Sequence, residues 1–284
     1  MAIANPGYMG WVELGTYNIR CTDFNLALRQ DNLFYDHIIG LRDSIPSSIL
    51  DAKGDVAAFN PQKMFWRAGV KIVDGSVSFP MSENSADAFL QEAIKGDDFD
   101  INLYYNCEKA QTFTGCKANT YSFSASPGDI ATVSVGVMGK ALSKTEPAYA
   151  ENPTDAEKLI TWDEIKVTGT EGDNSLAHIE FTINNNCIPI YTSGTNNTTV
   201  ATDPKLSPKT IRVGMQQVTG TMVFWGKTGP TDTAIEDSVP KTITIDAGPF
   251  SATLTVLFQF PTLASEISSI MRTVTFVGVD TAIQ

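Results

Sequence analysis

Apolar and polar side chains alternate with a period of two along most of the chain, which predicts β-strands. Trp11–Leu14 opens the first half, and a strand predicted over Tyr17–Leu28 carries Phe24, Leu26 and Leu28 at alternate positions before Asp31-Asn32 breaks it. The strand at 67–79 puts Val73, Val77 and Phe79 on one face and Asp74, Ser76 and Ser78 on the other. Strands at 101–105, 121–125 and 131–137 follow, the last two joined by Ser126-Pro127-Gly128-Asp129, whose residue types favour a turn. One segment has a helical period instead. Phe89 and Ala93, then Leu90 and Ile94, predict a short helix over 85–95, capped by Asn84 or Ser85 and ended by Gly96.

The second half repeats this order. Trp162–Ile165 answers Trp11–Leu14, and Ile179, Phe181 and Ile183 answer Phe24, Leu26 and Leu28. The strand at 212–224 reads against 67–79 without a gap as R-x-G-x-x-x-V-x-G-[S/T]-x-x-F, five identities in thirteen positions. Its repeated core positions are Gly69, Val73, Gly75 and Phe79, then Gly214, Val218, Gly220 and Phe224. Phe250 to Phe260 and Arg272 to Val279 supply two further one-faced strands. The stretch at 143–158 is polar and acidic, with Pro147 and Pro153 and no apolar rhythm. The expectation is therefore an all-β protein of two similar antiparallel sandwich or barrel domains, residues 1–142 and 159–284, joined by a linker at 143–158.

Three connections differ from this rhythm. Residues 36–63 form a long excursion carrying Ile38, Ile39, Leu41, Ile45, Ile49 and Leu50, too apolar for plain disorder. Those side chains are expected to pack against a neighbouring subunit or against their own domain. The connection at 184–209 reads as a polar loop, and 228–240 shows no helix matching the one at 85–95.

Composition narrows the function. The formal charge is −12, shared as −5 over residues 1–142 and −7 over 143–284, so the basic stripe of a protein that grips nucleic acid is missing. The N-terminal residues have no charged and apolar leader pattern, and no apolar run has the length of a membrane span. Cys21, Cys107, Cys116 and Cys187 lack metal-type spacing and are expected as buried thiols, although Cys107 and Cys116 could reach each other from neighbouring strands. The Asn196 and Asn197 sequons matter only on a secretory route.

Catalytic groups are not assembled in the pattern. His37 and His178 have no partner at a metal-binding or general-base spacing, and no phosphate-cradling glycine run or nucleophile elbow occurs. Asp97, Asp98 and Asp100 form the densest acidic cluster, expected to be a solvated turn rather than a calcium loop. Trp11, Trp66, Trp162 and Trp225 border strands, where a core or interface role is commoner than sugar binding. The chain is expected to be no enzyme and to need no cofactor or metal.

The run Phe113-Thr-Gly115-Cys116-Lys-Ala-Asn119-Thr-Tyr121-Ser-Phe123-Ser, then Ser126-Pro-Gly128-Asp129 and Val133-Ser-Val135-Gly-Val137, resembles tailed-bacteriophage tail tube proteins. So do Phe181-Thr-Ile-Asn184-Asn, Pro208 to Arg212 and Val218-Thr-Gly220-Thr. The resemblance implies a structural virion protein, built in the host cytoplasm, whose copies pair sheet edges into rings. The rings stack as a hollow tube around the tape measure protein and later the transiting DNA, with a sheath protein outside where the tail contracts. It implies that Ile38 to Leu50 contact the next ring, and that acidic side chains such as Asp74 and Glu180 face the lumen. Six tube domains per ring, two per chain, would make a homotrimer with pseudo-sixfold symmetry. A carbohydrate- or receptor-binding β-sandwich of a virion, and the tube of a related contractile injection system, are the alternative classes.

Overall fold

Alternation makes one face of each strand apolar, and the fold is the way those faces close over one another. The computed structural model describes residues 10–15, 17–35, 65–83, 85, 88–105, 109–143, 158–170, 175–191, 207–225, 239–259, 262–266 and 269–280. The first half holds β1 (Trp11–Leu14), β2 (Tyr17–Arg20), β3 (Asp23–Phe24), β4 (Ala27–Tyr35), β5 (Phe65–Pro80), α1 (Leu90–Lys95), β6 (Phe99–Tyr105), β7 (Lys109–Ala125), β8 (Thr132–Gly139) and β9 (Ala141–Leu142). The second holds β10 (Ile165–Thr168), β11 (Leu176–Asn184), β12 (Ile188–Ile190), β13 (Thr210–Arg212), β14 (Gln217–Trp225), β15 (Lys241–Ala247), β16 (Phe250–Phe258), β17 (Thr262–Glu266) and β18 (Ser269–Asp280). The protein is all-β with one short helix, and its strand pairs are antiparallel.

The two halves pair their strands in the same order. In the first it runs β4-β5-β8-β7-β6-β1, and in the second β11-β14-β18-β16-β15-β10. The register repeats as well. Leu28 lies opposite Val73 and Phe24 opposite Val77, as Ile183 lies opposite Val218 and Ile179 opposite Met222. Two glycines recur for one reason: a Cβ on Gly139 would sit 3.1 Å from the Cβ of Val73, and one on Gly278 would sit 2.8 Å from that of Val218. Each leaves room for the repeated valine.

The halves are also hydrogen-bonded to each other. Residues 120–125 of β7 pair with residues 179–184 of β11, placing Phe123 opposite Phe181. β7 reaches this position because it serves two partners in turn: its start pairs with β6, its end with β8, and the register shifts between Ala118 and Thr120. An extra residue of this kind bends a strand and re-aims it. The second half splits the same path into β16, which pairs with β15, and β17, which pairs with β18, with the Gln259 N–H donating to the Thr275 carbonyl between them.

The sheet that results runs β4-β5-β8-β7-β11-β14-β18-β17. Its apolar face, including Val73, Phe123, Phe181, Met222 and Phe276, is buried in one core with side chains of β1, β6, β15 and β16. Phe123 stacks on Phe181 at 5.4 Å and on Phe250 at 5.6 Å, so aromatic packing crosses from one half to the other.

Several local expectations change. The strand over 17–28 is broken into β2, β3 and β4, and β4 runs through Asp31-Asn32 by means of a register shift. The helix spans only Leu90–Lys95. Phe89, at the N-cap, is left-handed at φ 64, so the helix starts only at Leu90, and the Phe89 ring packs in the core beside Phe79 and Phe99. The Ser85 hydroxyl meets that of Ser82 instead of capping a helix, whereas Gly96 is the left-handed C-cap expected. β7 begins at Lys109, well before Tyr121, and β15 and β17 are strands that the pattern reading passes over. The excursion at 36–63, with Ile38, Ile39, Leu41, Ile45, Ile49 and Leu50, lies outside the described residues, as do most of 228–240 and residues 144–157 of the linker.

The second copy of the motif is split, and the connection before it is not all loop. β12 and β13 form a ribbon of their own, and Gly214 lies between β13 and β14, whereas Gly69 lies within β5. Asn185 causes the detour. Fully buried, it donates through Nδ2 to the carbonyls of Ala93 (2.7 Å) and Ala118 (2.9 Å), while its own carbonyl accepts from Gly214 N–H. Gln216 Nε2 donates to Asn185 Oδ1 and Ala93 O. Second-half backbone is thereby clamped to α1 and β7. Asn185→Ala removes both Nδ2 donations and the Oδ1 acceptor of Gln216, leaving Ala118 O with only the weak Cys187 thiol donor, and is expected to cost about 1–3 kcal/mol in urea unfolding.

Candidate assembly surfaces

Strand alternation gives the long sheet a second face, and its chemistry is set by Ser and Thr. On β5, β7, β8, β11, β14 and β18 the residues between the buried ones include Ser76, Ser78, Ser122, Ser124, Ser134, Thr182, Thr219, Thr221, Thr273 and Thr275. Hydroxyls meet across the strands: Ser78 and Ser134 at 3.0 Å, Ser122 and Thr182 at 2.9 Å, and Thr275 donating to Gln259 at 2.8 Å. Asp74 and Glu180, singled out in the sequence, share this face. Arg29 stands 2.9 Å from Asp74, and His178 lies 3.6 Å from Glu180 with its Nδ1 at 2.8 Å from the Ser126 hydroxyl. The sequence reading set Ser76 and Ser78 beside Asp74 on this face but did not carry the hydroxyls across the neighbouring strands, although S-x-S and T-x-T spacing in four of them was the signal.

At its two ends the sheet stops. Among the described strands, β3 and β4 pair only with β5, and β17 pairs only with β18. Edges of this kind present main-chain donors and acceptors in register for another strand.

Four of the repeated motif positions lie on the buried side of their strands. Val73, Phe79, Val218 and Phe224 are buried on the apolar face. Gly75 and Gly220 sit under crowding strands, a Cβ meeting the Asn25 carbonyl oxygen at 2.6 Å in one case and the Glu180 carbonyl oxygen at 2.5 Å in the other.

The acidic cluster is spoken for by lysines. Lys117 Nζ lies 2.8 Å from Asp98 Oδ1, Lys140 Nζ bonds the other oxygen, and Asp100 accepts the Gly115 N–H at 2.8 Å. Burial pushes the Asp98 carboxyl upward, but hydrogen bonds from Lys117 and Lys140 outweigh it and hold its pKa below the usual value. A lowered folded pKa stabilises fully above the unfolded value, near 3.9, and that contribution is lost as pH falls through the folded value. Asp98→Asn is therefore expected to reduce stability at pH 7 and to narrow the gap from wild type at a strongly acidic pH, below the ordinary carboxylate range. Urea unfolding at both pH values reads the difference.

Cys21, Cys116 and Cys187 are buried free thiols; burial, reinforced by Asp23 beside Cys21 and Asp100 beside Cys116, pushes those two to about 12. Cys107 lies outside the described residues. Trp11 is buried against Tyr104 with ring centroids 3.9 Å apart, and Trp225 is exposed at the end of β14. Among the described residues no cluster of His, Cys, Asp and Glu is arranged to hold a metal, and no helix is long and apolar enough to cross a membrane.

Among the described residues, the ends of the long sheet and its hydroxyl face are the surfaces that stand out. The family model of the phage tail tube protein matches residues 51–224. The chain belongs to the phage tail tube protein family. No curated protein matches its sequence. The matched stretch holds both copies of the glycine–valine motif and the β7–β11 junction. The tail tube protein is thus a structural component of a virion tail and not an enzyme.

Proposed function

We propose that this tail tube protein forms homotrimeric rings that stack into a hollow conduit for DNA. The observation that carries the reading is the internal repeat of strand order and register. Two equivalent sets of strands in one chain, joined edge to edge, supply two of the six positions of a pseudo-sixfold ring. In this reading residues 1–142 and 159–284 are the two tube units, with 143–158 as the connection between them.

The apolar face of the long sheet is covered by β16, β15, β6 and β1, which leaves the hydroxyl face to line the bore. That face suits transit. Its hydroxyls bind weakly, and the net charge of −12, with Glu180 on this face and Asp74 balanced there by Arg29, disfavours phosphate so that DNA does not adhere. Before ejection the bore holds the tape measure protein. A sheath surrounds the tube only in a contractile tail, and assembly takes place in the host cytoplasm. The excursion at 36–63, through Ile38 to Leu50, joins successive rings.

Electron microscopy and mass measurement on isolated rings test the reading. Hollow rings of three full-length chains are expected; six chains per ring, or particles that never form rings, sink it. Deleting residues 38–50 is expected to leave single rings that do not stack, and unchanged tubes would remove that role from the excursion.

A further inference from the structure

The junction inside the chain is a template for the edges left at its ends. We infer that the outer edge of β3–β4 in one copy pairs antiparallel with the outer edge of β17 in the next copy. The register is that by which β7 meets β11. The inference rests on the ring reading above and specifies its contact.

Equivalence fixes the register. β4 stands to β5 as β11 stands to β14, with Ala27 opposite Asp74 and Thr182 opposite Thr219, the aligned positions of the repeated motif. β17 stands to β18 as the end of β7 stands to β8, with Thr262 opposite Thr273 and Ser122 opposite Ser134. Within the chain, Ser122 meets Thr182, Ser124 meets Glu180 and Ala125 meets Ile179. The same offsets place Thr262 of one copy opposite Ala27 of the next, Ala264 opposite Asn25, and Ser265 opposite Phe24.

Burial points to the same edge. Ile183 and Ile179, on the covered strand β11, are 0 % exposed. Their equivalents are not so well covered: Leu28 is 37 % exposed and Phe24 is only partly buried, although Leu28 lies directly opposite Val73, which is fully buried. The apolar face of β3–β4 thus stops short of the cover that its counterpart receives from the neighbouring unit. A strand from a second copy supplies that cover and pairs the open main-chain groups. Because the two edges differ, the contact is head-to-tail, and such a contact forms a ring when its rotation closes.

Paired cysteines test this in the full-length chain. Directly opposite antiparallel residues have Cα atoms about 4.5–5.5 Å apart, within the roughly 4.4–6.8 Å a disulfide spans. Ala27→Cys with Thr262→Cys, and separately Asn25→Cys with Ala264→Cys, are expected to link neighbouring chains on mild oxidation of rings. Non-reducing gels should then show a ladder that ends at three chains. Ala27→Cys with Ala264→Cys, two residues out of register, should stay unlinked, as should each single variant. Well-formed rings in which neither in-register pair links overturn the edge pairing and leave the tube reading standing. Linking of the out-of-register pair alone overturns the register. A ladder ending at six chains upholds the junction and overturns the trimer, and a wild-type chain that forms no rings overturns both readings.

Discussion

Phe181→Ala is expected to lower the free energy of unfolding by about 3–5 kcal/mol, the usual cost of deleting a buried aromatic ring. Phe181 is 1 % exposed and lies opposite Phe123 in β7 and opposite Gly220 in β14. Its ring stacks on Phe123, which stacks in turn on Phe250, so the cavity would open where the two halves share their core. The glycine opposite cannot refill the space, because it has no side chain. Urea denaturation of unassembled protein measures the loss. A loss under about 1 kcal/mol would mean that the halves do not depend on each other for packing. Phe181→Leu keeps most of the volume and should cost less than half as much.

Leu28→Asp and Ile183→Asp should have opposite consequences although the two positions are equivalent. Ile183 is fully buried, so a carboxylate there loses its hydration without a partner and should unfold the chain or cost it several kcal/mol, on the order of 3 or more. Leu28 is 37 % exposed in the isolated chain, and Asp there should change its stability by no more than about 1 kcal/mol. Once a second copy covers the edge, however, that carboxylate would be buried, and rings should fail to form. Thermal melts of the unassembled variants, alongside electron microscopy, separate the two effects. Normal rings from Leu28→Asp would show that this edge remains open in the assembly.

Much of the fold was legible in the alternation, because a strand buried on one face must write its burial into every second residue. The alternate apolar positions Val73, Val77 and Phe79, Tyr121 and Phe123, Val133 to Val137, Ile179 to Ile183, Val218, Met222 and Phe224, and Phe250 to Phe258 are buried, whereas Val70, Val213 and Met215 at the starts of the two motif copies are exposed. The equivalence of Phe24 with Ile179 and of Leu28 with Ile183 was readable as spacing, and it returns as hydrogen-bond register. Alternation was silent where a single residue takes an unusual conformation or role. Phe89 reads as an apolar residue inside a helix, yet its left-handed backbone keeps it outside and the helix begins only after it. Asn185 reads as loop polarity, yet it is a buried clamp. The open edge of β4 left a mark that reads differently: the polar run Arg29 to Asn32 looks like a strand break and is instead part of an edge strand.

The sequence by itself determined that this protein is all-β, which side of most strands is apolar, and that one strand motif occurs twice. Those properties are local: they depend on side-chain type at a fixed period. Only the tertiary structure decided that both halves belong to one sheet, that a Ser and Thr face is left over from the core, and that β3–β4 and β17 stand at the ends of that face. These depend on which strands become neighbours. Main-chain hydrogen bonding, which every residue but proline offers alike, leaves that choice to the packing of whole faces.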